Sequence, residues 1–191
     1  MLSGKAPIKV NATAGTATNL SADKLDGKDS TEFLGSYKRT VVVSPVGTDT
    51  ENGTALLNAL AGITDASATK KYLVHIEPGT YDLGTRTLQM KQYVDIQGSG
   101  ELNTVITSAA TSEPTDPIYG CGFIAAVVAT ANNAELRFLT VQNTGAGSGC
   151  SGAIKSSVDS APRLTQLTAK TTASGGAPTT AYLSAVVVAL L

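Results

Sequence analysis

The chain contains a single histidine, His75, set between Val74 and Ile76 in the run Tyr72-Leu73-Val74-His75-Ile76. Imidazole is the side chain best suited to moving a proton near neutral pH, but strand alternation puts His75 on the face opposite its two apolar neighbours, pointing outward from the sheet. Asp95, between Val94 and Ile96, reads the same way. Nucleophilic serine chemistry has no support, because no Gly-x-Ser-x-Gly elbow occurs. Cys121 and Cys150 are the only cysteines, and with one histidine they are too few for a tetrahedral zinc site. Asp23, Asp26 and Asp29 suggest calcium by their oxygen ligands. Their spacing is three rather than two and no bidentate acid closes the loop, so a solvated turn is the reading. No catalytic, cofactor-binding or metal-ligating residue is assigned, and no cofactor is expected.

The elements that would position any site are short strands. Tyr72-Leu73-Val74-His75-Ile76, Tyr93-Val94-Asp95-Ile96 and Thr104-Val105-Ile106-Thr107 each run or alternate apolar for four or five residues before meeting glycine or proline. Between the first two lie Glu77-Pro78-Gly79-Thr80-Tyr81 and Leu83, Leu88 and Met90, too irregular for a helix and too long for a hairpin turn. A chain that places a strand, turns and returns in this way can stack its turns as a parallel solenoid.

Ile76-Glu77-Pro78-Gly79-Thr80-Tyr81, Val94-Asp95-Ile96-Gln97-Gly98-Ser99-Gly100 and Thr104-Val105-Ile106-Thr107 resemble the opening turns of the pectin-lyase-like right-handed β-helix, and of pectin methylesterases in particular. Leu136-Arg137-Phe138-Leu139-Thr140-Val141-Gln142-Asn143-Thr144 is similar to the family's next rung. The resemblance covers roughly Thr40 to Thr172 and consists of scaffold turns. For activity it implies two aspartates, an arginine and oxyanion-stabilising glutamines on the strands that follow. Here Asp159 is the last acidic residue, and Thr168-Ala169-Lys170-Thr171-Thr172 stands where the catalytic strand belongs. Those groups can run neither acid–base nor covalent catalysis. The calcium-binding acids and basic proton acceptor of polysaccharide lyases are missing as well.

Ahead of the strands, Ala22-Asp23-Lys24-Leu25-Asp26-Gly27-Lys28-Asp29-Ser30-Thr31-Glu32-Phe33-Leu34 resembles a short Leu-Asp-Gly-x-Asp-Ser module of bacterial surface proteins and phage tail fibres. Asp26-Gly27 is its turn signal. Residues 1–39 are expected to form a flexible arm, since residues 4–22 carry only Ile8, Val10 and Leu20 as sizeable apolar side chains. Residues 40–191 form the β-helix domain. Thr40-Val41-Val42-Val43 opens it, and a helix over Thr50–Gly62, capped by Thr50 or Asn52, carries Leu56, Leu57, Leu60 and Ile63 across the open end of the first turn.

Beyond a Ser/Thr/Pro loop, strands are expected in residues 122–128 and 134–141. Ala161-Pro162-Arg163-Leu164-Thr165-Gln166-Leu167-Thr168 repeats the Leu-x-x-Leu-Thr of Leu136 to Thr140. Val74, Ile76, Val94, Ile96, Val105, Leu136, Phe138, Leu164 and Leu167 are the predicted core. A disulfide between Cys121 and Cys150 would join neighbouring turns, with two free thiols the alternative. The terminal run Ala181 to Leu191 would expose a strand edge, making it a truncation point or a self-association surface.

Fourteen basic and fifteen acidic residues give a net charge of −1, which leaves no electrostatic footprint for nucleic acid. No stretch is long enough to span a membrane, and the N-terminus lacks a signal-peptide pattern. Charged residues make up 15% and aromatics 5%, a small-residue balance that suits an extracellular or cell-surface solenoid. The expected function is a non-catalytic surface or fibre-type module with a glycan or polysaccharide partner. The rival is a fragment of a carbohydrate-active esterase or lyase.

Overall fold

The structure is a computed structural model that describes residues 24–25, 28–29, 37–111, 125–145, 151–156 and 161–171. Cys121, Cys150, Asp159, the run 181–191 and all of the arm except residues 24–25, 28–29 and 37–39 lie outside the described residues, so the readings made for them are carried no further. The chain divides into two units, residues 1–36 and 37–191. In the first, β1 (Lys24–Leu25) and β2 (Lys28–Asp29) pair antiparallel, with Lys24 opposite Asp29 and Leu25 opposite Lys28. Asp26-Gly27, a dipeptide favoured in two-residue hairpin loops, lies between them in the chain.

The second unit is strand-rich, with one helix among its described residues. Its strands are β3 (Arg39–Val43), β4 (Tyr72–Ile76), β5 (Gly79–Asp82), β6 (Leu88–Gln89), β7 (Val94–Gln97), β8 (Thr104–Ser108), β9 (Ala125–Ala129), β10 (Glu135–Asn143), β11 (Ser151–Lys155) and β12 (Arg163–Thr171). Every pairing among them is parallel. β3, β4, β7, the first half of β10 and β12 follow one another in one series. β5, β8 and the second half of β10 make a second series, and β6, β9 and β11 a third. Paired residues lie between 22 positions apart (Tyr72 and Val94) and 40 (Ile96 and Leu136) along the chain, so each pairing requires a crossover rather than a hairpin.

β5 and β6 occupy the stretch whose apolar spacing looked irregular. That spacing reflects two short strands divided by a turn, and Tyr81, Leu83, Leu88 and Met90 are all buried. The Leu-x-x-Leu-Thr repeat is a register: Leu136 lies opposite Leu164, Leu139 opposite Leu167 and Thr140 opposite Thr168.

Four members of the predicted core require correction. Val74, Ile76, Val94, Ile96 and Leu136 are fully buried. Val105 is half-buried, because the alternation of β8 turns Thr104, Ile106 and Ser108 inward instead. Phe138 is half-buried because its backbone is left-handed (φ 56°), which bends β10 and resets its alternation so that Leu139 and Val141 enter the core. Leu164 and Leu167 are also half-buried, since β12 pairs on one side only among the described residues.

The helix, α1 (Asp49–Ala61), packs mainly on β5 and also touches β3 and β4. Its cap is Thr48, not Thr50 or Asn52. The Glu51 backbone amide donates to Thr48 Oγ1 while the Glu51 carboxylate accepts from the Thr48 amide at 2.7 Å, a reciprocal capping box. Asn52 serves elsewhere. Buried inside the first turn, it accepts from the Val46 and Gly47 amides and donates to the Thr80 carbonyl, fastening the helix entry to β5. Gly53 permits the close approach, for a Cβ there would lie 1.9 Å from the Asp82 carbonyl oxygen. Leu56, Leu60 and Ile63 then join the core cluster.

Candidate functional site

The parallel registers determine which outward side chains meet. His75 faces out beside Gln97, which lies opposite Arg137, which in turn lies opposite Thr165. One alternation earlier, Leu73 lies opposite Asp95, and Glu135 opposite Arg163. His75 and Asp95 therefore do point outward from their strands, between buried neighbours. His75 stays at the edge of the polar group that forms there. Asp95 is part of it.

Asp95 accepts from two directions. The Tyr37 hydroxyl donates to Oδ2 at 2.6 Å, and the Glu135 backbone amide donates to Oδ1 at 2.7 Å. Arg137 spreads its guanidinium over three partners: Nε donates to Gln97 Oε1 at 2.9 Å, Nη1 to Glu135 Oε2 at 2.6 Å and Nη2 to the Tyr37 oxygen at 3.2 Å. The second Glu135 oxygen accepts from Thr165 Oγ1 at 2.6 Å and lies 3.3 Å from Arg163 Nε. The Glu135 and Arg137 side chains are only 11% and 20% exposed, so this is a largely desolvated pair with its lone pairs satisfied, the condition under which such a pair is tolerated.

Burial is the main cause that pushes the Tyr37 phenol up to about 12, and the adjacent Asp95 carboxylate adds to it through its hydrogen bond and charge. Burial works against the Arg137 charge, but Tyr37 and the Glu135 carboxylate outweigh it, and its pKa is raised. Both groups thus keep one protonation state across the neutral range. Chemically the set has two carboxylates, an amide, a phenol, an aliphatic hydroxyl and two guanidinium groups. Most of these groups are engaged with one another across strands, so the arrangement couples β7, β10 and β12. Among the described residues, no three His, Cys, Asp or Glu are placed to hold a metal ion. None of their helices is long and apolar enough to cross a membrane.

Residue types alone did not bring this set together. Tyr37 stands 58 positions before Asp95, and Arg137 40 positions after Gln97. The one available signal was the alternation in Glu135-Leu136-Arg137, which placed both charges on one face. The chain matches no protein-family model, no curated protein and no solved structure.

Proposed function

We propose that residues 37–171 belong to a right-handed parallel β-helix whose end is covered by α1, and that the chain is a non-catalytic module of a surface or fibre-type protein acting outside the cell. The succession of parallel pairings, each one crossover further along the chain, supports the solenoid, as do the pectin-lyase-like turn sequences. The observation that carries the non-catalytic reading is the mutual saturation of Tyr37, Asp95, Gln97, Glu135 and Arg137. A general base must reach a substrate proton, and a nucleophile must be held ready by one. Here the carboxylates instead hold neighbouring strands together.

Glycan contact is the proposed use of the outward face, where the Arg163 guanidinium, 77% exposed, stands beside the saturated set and His75 lies at its edge. The rival, a fragment of a carbohydrate-active esterase or lyase, draws on the same face, since it gathers two carboxylates, an amide and a guanidinium. Incubation with methylated pectin and with unesterified polysaccharide separates the two. Retention on immobilised polysaccharide without turnover is the expected result. Methanol release or chain cleavage above a blank would overturn the non-catalytic reading.

A further inference from the structure

β3 is the edge at which the first series begins. Among the described residues it pairs only with β4, and its Val43 carbonyl accepts from the Glu77 amide at 3.0 Å. The odd-numbered residues of β3 therefore face β4, and by alternation the amides and carbonyls of Thr40 and Val42 point to the open side. Val42 is 55% exposed and Val46, just beyond the strand, 67%; with Leu102 they are the exposed large apolar side chains of the described residues. An uncovered edge that carries apolar side chains is a template for another strand. We propose that its occupant is the same edge of a second copy of this chain, β3 pairing antiparallel with β3 about a two-fold axis.

Charge decides the direction. At the start of β3, the Lys38 amide donates to the Lys71 carbonyl at 2.8 Å, which sets the two lysines side by side, and Arg39 follows. All three are exposed, and none makes an ion pair among the described residues. At the other end Glu77 stands beside Ser44, and the exposed Asp49 and Glu51 open α1 a few residues on. A parallel neighbour, such as β12 of a copy stacked head to tail, would set Lys38 and Arg39 beside Arg163, and like charges on adjacent strands repel. An antiparallel neighbour brings the basic end of each copy to the acidic end of the other.

The register follows from the open groups. With Thr40 opposite Val42, the two residues exchange both of their backbone bonds, and the two-fold axis repeats the pair. Val41 then meets its own copy, and Lys38 falls opposite Ser44, with Glu77 of the second copy one strand further on. Ser44 is small, and two strand spacings, on the order of 10 Å, lie within the combined reach of an extended lysine and glutamate. Pro45 has no amide to donate, so the ladder stops there. The contact draws on strand pairing and charge alone and is independent of any glycan.

Sedimentation velocity of the full chain over a range of concentrations, with hydrogen exchange beside it, tests the contact. A single step from one copy to two is expected. The Thr40 and Val42 amides should gain on the order of tenfold protection as the dimer forms, while those of β4 and β7 stay as they were. Lys38→Glu and Glu77→Lys should each raise the dimer dissociation constant on the order of tenfold or more, and the double variant, which restores opposite charges across the axis, should recover most of that loss. The proposal is wrong if the chain remains a single copy at its highest soluble concentration, if assembly runs past two copies, or if the double variant dimerises no better than the single ones. Should a variant fail to fold, exchange at Thr40 and Val42 that does not change with concentration in the parent still decides against it.

Discussion

The Tyr37 hydroxyl donates to Asp95 Oδ2 at 2.6 Å across 58 residues of sequence, joining the first described residue of the larger unit to its fifth described strand in chain order, β7. Lys38 adds a backbone bond to the Lys71 carbonyl at 2.8 Å, so β3 is fastened before it begins.

Removing that hydroxyl should loosen the start of the unit. Tyr37→Phe is expected to cost ~1 kcal/mol in chemical denaturation, the usual worth of a hydrogen bond to a charged partner or slightly less. It also has a pH signature. The Tyr37 pKa is raised in the folded protein, from 10.0 to about 12, so its contribution is complete below pH 10, where the unfolded phenol still holds its proton, and is lost as pH rises through about 12. The alkaline fall in stability should be shallower in Tyr37→Phe than in the parent, with the tyrosinate absorbance titration losing its latest component.

Gly53→Ala sets two effects against each other. Alanine gains up to about 1 kcal/mol of helix propensity, but its Cβ would be 1.9 Å from the Asp82 carbonyl oxygen, a backbone atom that cannot turn aside. Overpacking of that kind typically costs 1–3 kcal/mol, and α1 must move off β5 as well. Net destabilisation is the expected outcome of thermal unfolding. A rise in midpoint would mean that the close contact is relaxed in solution.

Thr107→Val should act in the opposite direction. Thr107 Oγ1 is the one buried side-chain oxygen or nitrogen found without a hydrogen-bond partner among the described residues. An unsatisfied hydroxyl costs roughly 1 kcal/mol or more, and valine has nearly the same shape on a strand that favours β-branching. Stability equal to the parent or higher by up to about 1 kcal/mol is expected. A clear loss would show that water or a shifted neighbour satisfies the oxygen.

How much of this was legible in the sequence depends on the range of the interaction. Val74, Ile76, Val94 and Ile96 declared themselves by alternation, which is local. β5 and β6 were missed because strands of four and two residues give too few positions for a period to show. The bend at Phe138 has no such local signal. A left-handed phenylalanine is uncommon and nothing in its neighbours announces one. The polar set around Asp95 depended on registers between strands up to 40 positions apart, and no local pattern encodes those.

Phe138 and Gln166 provide a test of that bend. They occupy equivalent places in β10 and β12, between matched pairs at Arg137–Thr165 and Leu139–Leu167, and both have left-handed backbones, φ 56° and 47°. A non-glycine residue there costs roughly 1–2 kcal/mol, partly offset by the greater unfolded entropy of glycine. Gln166→Gly is expected to be neutral or mildly stabilising. Thr165→Gly, one residue away in extended backbone, should destabilise, since it also removes the hydroxyl that donates to Glu135. Equal losses at both sites in denaturant melts would contradict a specific left-handed requirement at Gln166.

Glu135 is where the outward polar set is most exposed to damage. Its carboxylate receives Arg137 on one oxygen and Thr165 with Arg163 on the other, so it links strand β12 to the Tyr37–Asp95 contact through Arg137. Glu135→Gln keeps the size and one acceptor but removes the charge that offsets a guanidinium only 20% exposed. Leaving a desolvated charge short of its partner is more costly than never having buried the pair, and a loss on the order of 2 kcal/mol is expected. Thr165→Val should cost ~1 kcal/mol, the value of one hydrogen bond. Because both changes act on the same Thr165–Glu135 contact, which Glu135→Gln strips of its charge and Thr165→Val removes, the double variant should lose less than the two single losses together, by on the order of 0.5 kcal/mol. Strict additivity in a double-mutant cycle would mean that Glu135 and Thr165 act separately and that β12 is held by its backbone ladder alone.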